Sequence, residues 1–203
     1  MINVSLFIKS YWEYFLELEE QFIETRRFVA FDNANSHTYS IEYLKLFQAV
    51  CSEIDVIGKE IASAFNSTFQ ITRTTGITNW GYEVQRAFPN LKNKVVIFNA
   101  EQQLTPFKNW EYEWGTSKDG RKRLKLTAGA STPKWWTNYN KVKHQRIGLI
   151  TNTKNFSLAN QKNLIFSLAA LYLLEKSFID YLNKNGENIA FDSKLFTTRQ
   201  EHP

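Results

Sequence analysis

The chain has 203 residues, 43% of them hydrophobic, so it can bury a proper core, and its length favours one domain over two. Its 25 basic and 20 acidic residues leave a formal charge of +5, a mild excess that admits anionic partners without marking a dedicated nucleic-acid arm. The single cysteine, Cys51, excludes an internal disulfide, and His37, His144 and His202 complete no ligand set at structural zinc spacing, so no metal and no cofactor are expected and a reducing cytoplasm fits.

The first residues, Met1 to Lys9, lack the basic and long apolar regions of a signal peptide. From about Ser10 to Val29, Tyr11, Phe15, Leu18, Phe22 and Val29 recur at helical spacing, while Glu13, Glu17, Glu20 and Glu24 form an acidic strip opposite. That strip reads as a solvated face or as a docking strip for basic residues near His144. After a polar loop, Ser40 caps a second helix that runs to about Phe65, with a seam of Leu44, Phe47, Cys51, Ile54, Gly58, Ile61 and Phe65. Cys51 falls in the seam as a small buried thiol. Glu53 falls on its shoulder, either as an ion-pair partner or as a site residue.

The character changes over 67–131, read as an insertion in a single helical-bundle domain spanning 1–203. It holds a short helix from about Thr78 to Phe88, a strand at Lys94 to Phe98, and a hairpin. In the hairpin, Trp110 to Trp114 alternates aromatic with acidic and Arg123 to Leu126 alternates basic with apolar, which sets Glu111 and Glu113 against Arg123 and Lys125. Interleaved aromatics and cations suit single-stranded nucleic acid, so Trp110, Trp114, Arg123 and Lys125 are candidate RNA- or partner-binding residues; the alternative is a hairpin that covers a core edge.

Pro133 opens a helix to about Arg146 on which Trp135, Tyr139 and Val142 pack, while Trp136, Asn140, Lys143 and His144 converge on the other side. Lys134, Lys141 and Trp136 join the candidate binding set. The last long helix, about Phe156 to Asn183, is apolar nearly all round and therefore central; its run from Leu164 to Leu174 is far shorter than the roughly 20 residues that span a bilayer. Asn185 and Gly186 end it, and in the tail Phe191, Leu195 and Phe196 are the residues that can dock.

The long helix pair, the Trp135-Trp136 start, the run from Tyr139 to Arg146, and the helix carrying Asn160, Asn163 and Ser167 to Tyr172 resemble the HEPN superfamily. The resemblance covers 10–66 and 134–183. It implies a mainly α, antiparallel helical bundle, often dimeric, of the kind found in bacterial abortive-infection systems of the AbiV type. Ribonucleases of that superfamily carry an arginine separated from a histidine by four to six residues; before His144 those positions hold Thr137, Asn138 and Tyr139, so the pair is absent. The candidate catalytic set is instead His144 as general acid or base, Lys143 and Arg146 as charge stabilisers, with Asn140 and Glu53.

Two functions follow as expectations. One is an antiviral-defence protein that interferes with RNA or translation, in its strongest form as a metal-independent ribonuclease. The other is a non-catalytic dimeric module that binds RNA or a protein, such as a phage product. The aromatic surplus, 16 Phe, 9 Tyr and 6 Trp, adds to the expectation of a homodimer, and no membrane partner is expected.

Overall fold

The computed structural model describes residues 3–150, 153–183 and 192–199. His202 and the expected features at Asn152, Asn185, Gly186 and Phe191 lie outside them.

The chain opens as a continuous helical rod. Asn3 caps it, accepting from the Leu6 N–H at 2.9 Å, and α1 (Val4–Phe7), a π-helical turn (Ile8–Trp12) and α2 (Glu13–Thr25) follow end to end. The wide turn shifts the apolar row by one position, so that Phe7, Trp12, Phe15, Leu18 and Phe22 are all buried.

α3 (Ile41–Phe65) is capped as its sequence requires, with Ser40 Oγ accepting from the Tyr43 N–H at 3.0 Å. Its seam from Leu44 to Ile61 is buried, Cys51 included, and burial pushes the Cys51 thiol well above its usual range. α4 (Ile77–Ala87) lies against α3 with Trp80 over Gly58. α5 (Lys134–His144) and α6 (Gln161–Leu182) complete the helices, α6 starting later than expected because Asn160 caps it by accepting from the Asn163 N–H at 3.0 Å.

The fold is mainly α, and no described helix is long and apolar enough to cross a membrane. The helices are not all antiparallel. The first rod runs opposite to α6, with Phe7 against Phe178 and Phe15 against Tyr172. The two longest helices run parallel, because Tyr43 meets Gln161 at one end and Phe65 meets Tyr181 at the other. α6 packs against α3, the first rod, α5, β1 and β7, which is why its apolar residues go nearly all round.

The strands are β1 (Val96–Phe98), β2 (Gln102–Leu104), β3 (Tyr112–Thr116), β4 (Lys122–Leu126), β5 (Leu149–Ile150), β6 (Thr153–Lys154) and β7 (Phe196–Thr198). β1 pairs antiparallel with β2 on one side and β7 on the other. The hairpin β3-β4 sets Glu113 across from Lys125 as expected, but Arg123 lies across from Gly115 and pairs with Asp119, and Glu111 lies before the ladder and pairs with Lys92.

β7 is fastened by a residue whose importance only the structure reveals. The Glu19 carboxylate is 1% exposed and accepts from Ser193 Oγ, from the Lys194 N–H at 3.0 Å and from the Leu195 N–H at 3.1 Å. Leu195 and Phe196 are thereby held in the core. Glu19→Ala leaves these donors unpaired, at about 1–3 kcal/mol for a buried unsatisfied group. The expected result is faster amide hydrogen exchange at Phe196 to Thr198, with the helix interiors less affected.

Candidate functional site

The site is built on α5, whose helical spacing divides its polar side chains between two clefts. Trp135, Trp136, Tyr139 and Val142 are buried, as is Asn138. Lys134, Thr137, Asn138 and Lys141, three and four apart, line a cleft of about 730 Å³ between α5 and the start of α6. Asn140 and Lys143 line a different cleft of about 470 Å³, facing Asp55, Lys59 and Arg73.

The walls of the larger cleft are held by specific bonds. Trp135 Nε1 donates to the Pro106 carbonyl at 2.9 Å, and the Ser131 N–H donates to the Asn109 carbonyl at 2.8 Å, which locks the loop carrying Lys108 against the helix. Asn109 adopts φ 60°, a left-handed conformation that asparagine tolerates better than most residues. On the opposite wall Asn138 Nδ2 donates to Asn163 Oδ1 at 3.2 Å, and Asn163 Nδ2 donates to the Leu158 carbonyl at 2.8 Å. The first amides of α6 are taken: Gln161 and Lys162 donate to the carbonyls of Thr38 and Ser36 at 2.9 and 3.0 Å. Side-chain cations, not free backbone N–H groups, are therefore what this cleft offers.

Those cations are Lys108, Lys134, Lys141 and Lys162, with His37 at the rim, and no carboxylate is among the lining residues. None of the four lysines is ion-paired with a described residue, whereas Lys45, Lys59, Lys92 and Lys125 all are. All four are exposed, and like charges gathered in a concave surface reinforce one another's field, which favours an anion there.

The candidate catalytic residues are dispersed. His144 is exposed at the end of α5, lines neither cleft, and its imidazole makes no hydrogen bond with a described residue. Lys143 stands 5.5 Å from the centre of the Tyr139 ring, and Arg146 donates to Gln48 Oε1 at 3.3 Å. Glu53 is not with them: Asp55 faces Trp80 and Lys59, and two residues along a helix turn a side chain by about 200°, so Glu53 faces the first rod. Its carboxyl is raised by burial, and the cation its shoulder position called for is absent among the described residues.

Of the candidate binding residues, Lys134 and Lys141 line the basic cleft. Trp110 and Trp136 require correction: they are 0% and 6% exposed, packed edge-on against Trp80, and present no ring face to a base. Trp114 is exposed. Arg123 and Lys125 are exposed but paired, with Asp119 at 2.7 Å and Glu113 at 3.1 Å. Five of the six tryptophans are buried, so the aromatic surplus fills the core and does not argue for a dimer.

The structure also isolates Glu175, fully buried on α6 with neither carboxylate oxygen bonded to a described group. Burial, with Glu53 adding, pushes its pKa well above the ordinary range; Tyr11, on the π-helical turn, is raised by burial and then by Glu60, Glu53 and Glu175. The sequence carried a signal for it, since Glu175 shares a row with Leu168, Leu171 and Phe178 at spacings of three and four. Among the described residues no group of acids, histidines or cysteines is arranged to hold a metal.

No family model, curated protein or solved structure matches the chain.

Proposed function

We propose that the chain binds single-stranded RNA in the cleft between α5 and the start of α6, and that it acts in phage defence by occupying RNA and not by cutting it. The observation that carries the binding is the convergence of Lys108, Lys134, Lys141 and Lys162 in one concave surface without a carboxylate partner. The amides of Asn109 and Asn163 and the hydroxyl of Thr137, in the same cleft, supply donors and acceptors for ribose and phosphate. The defence setting rests on the HEPN-like residues of α5 and α6. Cleavage is disfavoured because His144 lines neither cleft, Lys143 lines the cleft facing Asp55 and Glu53 faces the first rod, and a general base needs its orienting partner and its stabilising cation within hydrogen-bond reach.

Fluorescence anisotropy with a labelled single-stranded RNA tests the reading. Lys134→Ala and Lys141→Ala each weaken binding severalfold and lower the salt slope by about one, the signature of a lost phosphate contact. His144→Ala leaves affinity unchanged. Wild-type protein leaves total RNA intact; fragments that vanish with His144→Ala would replace this reading with the ribonuclease. In cells, phage yield falls with wild type and with His144→Ala, and recovers with Lys134→Ala plus Lys141→Ala.

A further inference from the structure

A second, smaller pocket of about 310 Å³ adjoins the basic cleft, the two sharing Lys162 and Phe166. Its character is opposite. Phe31 and Phe98, packed on each other at 5.7 Å between ring centres, and Phe166 supply the apolar lining, while Asp32, Glu101 and Gln161 supply hydrogen-bond acceptors. Phe31 is itself fixed, stacked on Phe22 at 4.5 Å between ring centres.

The acceptors are set by what their other atoms do. Asp32 Oδ1 accepts from the Ala34 N–H at 2.7 Å, which orients the carboxylate and leaves Oδ2 for an occupant. Gln161 is 1% exposed and spends its amide nitrogen on the Ala30 carbonyl at 2.9 Å and the Tyr43 hydroxyl at 3.2 Å, so what it can still offer is its carbonyl oxygen. Glu101 is carried by the β1-β2 turn, in which Asn99 and Ala100 take φ 50° and 61°. Neither Asp32 nor Glu101 is ion-paired with a described residue, and Lys162 is the cation at the mouth.

A concave apolar wall with an acceptor-rich edge, beside the lysine-lined cleft, suits a planar base with adjacent donors. Guanine alone among the four RNA bases presents two neighbouring donors, N1–H and the N2 amino group, on its pairing edge, and the free Asp32 Oδ2 with an oxygen of Glu101 or Gln161 can divide the two between them. Uracil offers one N–H between two carbonyls; adenine and cytosine offer an amino group beside a ring acceptor, which a carboxylate repels. Stacking on phenylalanine is open to any base, so the walls supply affinity and the carboxylate supplies choice. We infer that this pocket seats a guanine of the RNA strand held in the adjoining cleft, read by Asp32 with Gln161 and Glu101.

This inference rests on the RNA-binding reading, and the experiment separates the two. Anisotropy compares an all-uridine oligomer with the same oligomer carrying one central guanosine. The guanosine tightens binding about tenfold, within the discrimination of a good bidentate base contact. Asp32→Asn keeps the short polar side chain that orients this turn and so spares the fold, but it abolishes the guanosine preference and leaves affinity for the uridine oligomer unchanged. Lys134→Ala weakens both oligomers equally. Equal wild-type affinity for the two oligomers overturns the guanine seat and spares the RNA reading. If neither oligomer binds, the RNA reading falls, and titration with guanosine 5′-monophosphate decides the pocket: NMR shifts at Gln161 and Phe98 that Asp32→Asn removes sustain it as a guanine site, and their absence overturns it.

Discussion

Replacing Glu175 with leucine raises the stability of the protein at neutral pH by about 2 kcal/mol and removes much of its decline with pH, the first figure being the usual cost of a buried polar group without a partner. Glu175 is fully buried on the packing face of α6, and neither of its oxygens has a described partner. A charged carboxylate there has lost its hydration and gained nothing, so the native state keeps its proton well above the ordinary carboxyl range. The unfolded chain releases that proton near pH 4.3, as free glutamate does. Between that pH and the raised native value the unfolded state binds fewer protons than the native state, so stability falls as pH rises, by up to about 1.4 kcal/mol per pH unit. Glu53, also raised by burial, contributes with the same sign. Denaturation series at several pH values check this: the gap between Glu175→Leu and wild type widens from acid to neutral pH. A gap independent of pH would mean that Glu175 is charged and paired.

Gly58→Ala has the opposite sign. A methyl group at this position lies 2.4 to 2.8 Å from three atoms of the Trp80 indole, closer than carbon atoms approach. The ring has little freedom to withdraw, being bound through Nε1 to Asp55 at 2.9 Å and set edge-on to Trp110 and Trp136 at 5.8 Å. Alanine gains about 1 kcal/mol of helix propensity over glycine, and overpacking a rigid core costs about 1–3 kcal/mol or more. We expect a net loss near the upper end, about 2 kcal/mol, visible as a lower urea midpoint. Adding Trp80→Leu to Gly58→Ala makes the pair cost less than the sum of the two single changes, because both act on one contact.

Much of the scaffold is readable from local pattern. The Ser40 cap and the seam of α3 follow from spacings of three and four, and the pairing of Glu113 with Lys125 follows from alternation around a turn. What resists reading is pairing between distant segments. β7 is three residues long, and it is a strand only because Glu19, far away in the chain, holds the segment before it beside β1. Trp110 alternates like a strand residue, yet it follows the left-handed Asn109 and turns inward to Phe107 and Trp80.

The site divides along the same line. Helical spacing put Lys134 and Lys141 on one side of α5, which is local information. Lys108 and Lys162, which complete the cleft, come from segments that only the tertiary fold brings near. Asn140, Lys143 and His144 lie within one turn of the helix, but His144 is its last residue and is exposed outside the cleft that Asn140 and Lys143 line.

The parallel pairing of α3 with α6 has a consequence for biosynthesis. The whole of the chain from 66 to 160 separates these neighbours, so α3 emerges from the ribosome long before the helix that covers Cys51 and its seam exists. At ordinary elongation rates the delay is on the order of ten seconds, during which isoleucines meant for the interior are open to chaperones and to self-association. Folding that must close so long a loop before its central contact forms is slow, and recovery from denaturant should be limited by that closure.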